Sequence, residues 1–193
     1  MSTGSKIDKT DAKIIMELAE NPRSTLTDLA SKTKISRPTI TTHLNSLIDS
    51  GLLLYQTGLS MRNLDFVTAL VGIEVKSEEA RIKAEKCLSC CPRVLNIFRT
   101  VGKANLHVYA WGEDEHTLTS TVESFRNLPH SDIISTTYLG HPIHGDFVIK
   151  IPGKKNTASP CGKQICTKCQ TYLNGNCSGC PATNDYIGPL NVQ

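Results

Sequence analysis

The chain has 193 residues, 39% of them hydrophobic and 20% charged, with a formal net charge of +3 and an isoelectric point near 8.4. That length holds one or two domains with a real core in each, and the charge is mildly basic, compatible with nucleic acid without pointing to it. No apolar run approaches a membrane span and the first residues (MSTGSKIDKTD) hold no signal-peptide core. The expected compartment is the cytoplasm, where eight cysteines act as thiols or metal ligands rather than structural disulfides.

Residues 1–6 are a polar start. Asp8 reads as the cap of a first helix, with Asp11 completing a capping box, Ile7 able to staple against the next turn, and Ile14, Ile15 and Leu18 facing a core. Asn21 and Pro22 end it. The stretch 24–53 (STLTDLASKTKISRPTITTHLNSLIDSGLL) then reads as two short helices joined by a turn. Thr25 and Asp28 form a second capping-box pair, and Leu26, Leu29 and Ala30 are the expected buried stripe. Lys32, Thr33 and Lys34 make the turn. Ser36 caps the next helix, whose first turn tolerates Pro38.

That helix sorts its residues by face. Ile40, Leu44, Leu47 and Ile48 have the spacing of a core stripe, while Thr42 and Asn45 lie opposite, flanked by Thr41 and Ser46. A small polar outward face can enter a major groove, so Arg37, Thr39, Thr41, Thr42, Asn45 and Lys34 are candidate DNA contacts. An ordinary helical hairpin buried in a core is the bland alternative. Gly51 stops the helix, and 52–55 should begin a wing or linker strand. The first domain is expected over 1–54, near the lower size limit for independent folding.

A linker, 55–65, leads to a strand at 66–75. A helix at 78–90 offers Ala80, Ile82, Ala84 and Leu88 inward. Strands at 94–100 and 105–111 form a hairpin, a helix at 117–128 presents Leu118, Val122, Phe125 and Leu128, and a last strand spans 133–139. The order β-α-β-β-α-β is the ferredoxin-like split βαβ, placed at 66–151, with 146–151 as an optional extra strand. The charge run Glu113-Asp114-Glu115 reads as a solvated helix start. The fold class is thus α+β: a winged or helix-turn-helix domain, a βαββαβ domain and a small tail.

Residues 152–160 have linker composition, and 161–193 hold five cysteines but few large apolar side chains. Cys166, Cys169, Cys177 and Cys180 stand as two CxxC pairs, with Cys161 upstream and an Asn174-Gly175 turn between the pairs. Doubled CxxC pairs suit tetrahedral thiolate coordination, so zinc is the expected cofactor and an iron–sulfur cluster the alternative. A reversible disulfide and a flexible thiol tail are the remaining readings. Cys87, Cys90 and Cys91 form a second group, read as packing residues at a helix end, with a redox pair or second metal half-site at Cys87 and Cys90 as the alternative. His141 and His144 are assigned no metal. No nucleophile elbow, phosphate loop or His-Glu metal motif is present, so no enzyme activity is expected.

In order and spacing, residues 6–151 resemble the Lrp/AsnC (feast/famine) transcription regulators, through IDKTDAKIIMELAENPRSTLTDLA, ISRPTITTHLNSLIDSGLL, DFVTALVGIEV and TVGKANLHVYAWGED. The resemblance implies a RAM-type sheet domain that assembles homodimers or higher homo-oligomers and binding to double-stranded promoter or operator DNA. It also implies a small-molecule effector, often an amino acid, near Thr100, Gly102 and Asn105. This chain departs from the family at several points. Thr42 and His43 replace paired arginines, Lys34 stands where the turn usually has Gly, and Asn105 replaces an aspartate in the effector hairpin. The cysteine tail is an addition. The expected function is sequence-specific transcription regulation with a tail that binds zinc or senses metal or redox state. The alternative is an iron–sulfur or thiol redox sensor or electron carrier whose tail is the main site.

Overall fold

The computed structural model describes residues 7–140, 142–145, 147–150, 152, 155–160 and 165–191. They divide into two compact units, one up to Gln56 and one from Thr57 onward.

Three helices build the first unit: α1 (Lys9–Glu20), α2 (Leu26–Thr33) and α3 (Arg37–Asp49). Both expected capping boxes form. The Asp8 carboxylate accepts from the N–H groups of Thr10 and Asp11, and Asp11 accepts from that of Asp8. Thr25 and Asp28 do the same at α2, and Ser36 caps α3 by accepting from the Thr39 N–H. Ile14, Leu18, Leu29 and Ile40 make the core, with Ala30, Ile35, Leu44 and Leu53 against its edge. Burying each large aliphatic side chain stabilises the unit by about 1.5–3 kcal/mol.

Several expectations need correcting here. Leu26, Ile48 and Ile7 are exposed rather than buried. Residues 52–55 form no strand; instead the Leu53 N–H donates to Leu47 O just past Gly51, whose φ of +71° closes the helix end. A left-handed glycine followed by a hydrophobic contact is a helix stop, which leaves no extended pairing partner for a wing.

The second unit follows the expected βαββαβ order. Strands β2 (Val67–Val75), β3 (Val94–Arg99), β4 (Leu106–Gly112) and β5 (Ser131–Leu139) form one antiparallel sheet in the order β3-β4-β2-β5. Helices α4 (Glu78–Ser89) and α5 (Glu115–Ser124) cover one face. Strand side chains alternate, so Ala69, Val71, Ile73, Val75, Leu106, Val108 and Ala110 meet Ala80, Ala84, Leu88, Leu118, Val122, Phe125 and Leu128 in one core. Ile82, expected inward, is exposed. A two-residue strand β1 (Leu59–Ser60) pairs antiparallel with β6 (Val148–Ile149), which supplies the optional extra strand; Asp146 and Ile151 lie outside the described residues.

A second apolar cluster joins the tail to this unit. Tyr186 and Leu190 pack with Met61, Phe66, Trp111 and Ile149. Asn156 bridges to Thr183 alongside. The tail borrows the sheet domain's apolar surface, which its own composition cannot supply. It adds one short helix, α6 (Gln170–Leu173), after a 3-10 turn at Cys166–Lys168.

Candidate nucleic-acid interface and cysteine cavity

On α3 the residues Arg37, Thr39, Thr41, Thr42, Asn45 and Ser46 are all exposed, while Ile40 and Leu47 are buried beneath them. The Thr41 hydroxyl donates to Arg37 O at 3.0 Å and that of Thr42 to Pro38 O at 3.1 Å. With each hydroxyl hydrogen turned to the helix backbone, a threonine has acceptor lone pairs and a methyl group left to present. Such a surface suits an amino group of cytosine or adenine and the methyl of thymine, and an exposed asparagine suits the donor–acceptor edge of adenine. Lys34 and Arg37 are exposed and hold no ion pair among the described residues, whereas Lys32 is drawn to Glu17 at 2.9 Å. Near the start of α3, Lys34 and Arg37 are therefore the exposed cations with no ion pair among the described residues.

His43 does not face outward. Its Nδ1 lies 2.8 Å from Asp11 Oδ1, tying α3 to α1, as its place on the border of the buried stripe suggests. The Asp11 carboxyl is held below the usual range, first by the Asp8 N–H and then by His43. Asp8 and Asp11 form a small acidic group with His43. Their carboxylates already serve the helix cap, which accounts for the grouping.

In the hairpin between β3 and β4, the Thr100 N–H donates to Asn105 O at 3.1 Å, which holds two of the three expected effector residues together. The Thr100 hydroxyl lies 2.8 Å from Ala104 O, to which it donates, and 2.9 Å from His107 Nδ1. The Asn105 amide donates to Val75 O at 2.8 Å and accepts from the Val75 N–H at 2.9 Å, imitating a peptide group at the end of β2. Gly102, with φ of +138°, has open space where a side chain would be.

The tail cysteines meet in one place. Cys166, Cys169, Cys177 and Cys180 line a cavity of about 80 Å³ together with Cys91, Arg93 and Tyr172. Cys161 lies outside the described residues. The Asn-Gly turn forms as the end of α6, with Gly175 at φ of +75°. Among the described residues, no three cysteine sulfurs lie within 4.8 Å of one another.

Arg93, Tyr186 and Gly179, none of them singled out by the sequence, fix this wall together with Glu113. The Arg93 side chain is buried, forms a short ion pair with Glu113, and donates to Gly179 O at 2.6 Å. Glu113 in turn accepts from the Tyr186 hydroxyl at 2.5 Å, and burial together with that carboxylate pushes the tyrosine pKa up. Glu113 is therefore no part of a solvated helix start, although Asp114 and Glu115 do open α5. Gly179 sits at φ of +80°, with Asp185 O 3.0 Å from where a Cβ would stand, so the Cys177–Cys180 loop needs glycine there. The only sequence signal for the Arg93–Glu113 pair is a charge at each end of the β3–β4 hairpin, twenty residues apart.

Residues 7–53 match the winged helix-turn-helix DNA-binding family. No curated protein matches the chain. Among solved structures, the leucine response regulatory protein of Mycobacterium tuberculosis aligns with a TM-score of 0.64 at 17% identity, over 72% of this chain and 95% of that one. Escherichia coli AsnC aligns at 0.58 and 22% identity, over 73% and 97%. The fold is that of the Lrp/AsnC feast/famine regulators. A transcriptional regulator of Neisseria meningitidis, in complex with L-methionine, is also similar, at 0.58 and 22% identity over 76% and 97%. Among the described residues, no helix of this Lrp/AsnC-like chain is long and apolar enough to cross a membrane.

Proposed function

We propose that this protein is a sequence-specific DNA-binding regulator of transcription that works in the cytoplasm. It reads operator DNA with α3, and its cysteine tail is a metal or redox-responsive site. The observation that carries this reading is the outward face of α3: Thr42 and Asn45 stand exposed on a helix whose opposite face is packed, inside the stretch that matches a DNA-binding family. The βαββαβ sheet domain is the assembly module, forming a homodimer or larger homo-oligomer that sets two α3 helices on one pseudo-palindromic site. A small-molecule effector of the amino-acid class is supported by the L-methionine complexes of a feast or famine regulatory protein from Mycobacterium tuberculosis and of the Neisseria meningitidis regulator. In this chain such an effector would meet Thr100, Gly102 and an Asn105 whose amide is engaged with Val75.

The test selects genomic fragments with the wild-type protein and repeats the gel shifts with Thr42→Ala and Asn45→Ala. Discrimination between selected and random fragments should fall by about 1–3 kcal/mol per lost contact, with circular dichroism unchanged. Unaltered discrimination by the double variant would remove the assignment.

A further inference from the structure

Deepening the metal-site reading of the tail, we infer that Cys166, Cys169, Cys177 and Cys180 hold an iron–sulfur cluster in the cavity they line. Size and spacing argue against a single ion. Four thiolates around one zinc, each about 2.3 Å from the metal, stand about 3.8 Å from one another in a tetrahedron. No three described cysteine sulfurs come within 4.8 Å of one another. The cavity that they line, with Cys91, Arg93 and residues of α5 completing its wall, is about 80 Å³, several times the roughly 10–15 Å³ that a single water-sized sphere needs. A group of several atoms, with thiolates reaching different iron atoms, matches both observations.

The walls are built to hold such a group. In the second pair, Gly179 O accepts from buried Arg93, and the Ser178 N–H donates to the Thr117 hydroxyl at 3.1 Å, fastening the loop to the sheet and to α5. The first pair is set by a 3-10 turn in which the Cys169 N–H donates to Cys166 O at 2.9 Å. Tyr172, between the pairs, donates its hydroxyl to Asp185 O at 2.6 Å and closes the side. The lining surface is mainly apolar, the setting in which burial and hydrogen bonds to sulfur tune a cluster. Cys166, Cys169 and Cys177 carry free thiols, so none of them is consumed by a disulfide. Cys91 brings a fifth sulfur to the wall from the end of α4, which gives the 87–91 group a role beyond packing.

The experiment purifies the full chain without oxygen, reconstitutes it with ferrous iron, sulfide and thiol, and measures iron, acid-labile sulfide, zinc and visible absorption. Equal iron and sulfide, about two or four of each per chain, with absorption bleached by dithionite, is the expected result. Serine at any one of the four positions should remove most of the iron, while Cys90→Ser, at an exposed position away from the cavity, should retain it. One zinc per chain without sulfide would overturn the inference. So would a folded chain, judged by circular dichroism, that takes up no iron. Gel shifts on the same preparations keep the two readings apart: a cluster without DNA binding sinks only the regulator, and DNA binding without a cluster sinks only this inference.

Discussion

Lys34 ends α2 in a left-handed backbone, φ +60° and ψ 28°, at the turn that sets α3 against the rest of the unit. A side chain there costs about 1–2 kcal/mol relative to glycine, of which glycine gives back about 0.5–1 kcal/mol through its freer unfolded chain. Lys34→Gly should therefore raise the melting temperature of the helical unit slightly, by up to about 1 kcal/mol of stability. It should also weaken DNA binding and lower the salt slope by about one unit, because a phosphate contact is lost. Calorimetry and salt-dependent gel shifts check the two effects separately. Acid should act on the same unit through its caps. Asp11 and Asp28 both have pKa values lowered from 3.8, by cap hydrogen bonds in each case. A carboxyl whose folded pKa is depressed stabilises the fold above its unfolded value and loses that contribution as pH falls toward the folded one. Stability of α1–α3 should then drop below about pH 4. Asp11→Asn should start lower at neutral pH and lose less on acidification, as melts followed by circular dichroism would show. These caps were legible in the sequence because a cap is a local matter of residues three apart. Glu113 was not, because its partner Arg93 approaches only once β3 and β4 have paired.

At the scale of elements, the alternation of strand and helix was readable from apolar period alone, and the order of the sheet followed from it. The errors lie at the edges of that logic. Ile82 and Ile48 have helical spacing but fall where the neighbouring element no longer covers them. The segment after Gly51 has strand-like residues but no strand beside it. Most distant from sequence is the docking of the tail. Spacing nominated the two CxxC pairs with Cys161, yet Cys91 belongs to another helix end and meets the pairs only through the fold. Arg93 and Glu113 hold that docking together. Replacing Arg93 by Met strands a buried carboxylate at a cost of roughly 3–5 kcal/mol. The expected outcome is faster proteolysis within 165–191 and loss of hydrogen-exchange protection there, with α1–α3 unaffected. Unchanged protection would mean that Tyr186 and Leu190 anchor the segment by themselves.

For the molecule as a whole, the division at Gln56 separates the part that would touch DNA from the part that carries the sheet and the cysteines. The single tryptophan falls in the second. Trp111 stacks on Phe66, with centroids 5.1 Å apart and planes 6° from parallel, and donates its indole N–H to Pro92 O at 3.0 Å. The Arg93 guanidinium lies 5.0 Å above the ring and 6.0 Å from that of Tyr186. One chromophore is thus wired, through one arginine, to the chamber behind it. Its emission is a built-in optical gauge: filling that chamber with an iron chromophore should dim it by energy transfer, and chelation should restore it. No label is needed to follow, in a cuvette and in real time, whether this protein is loaded or empty.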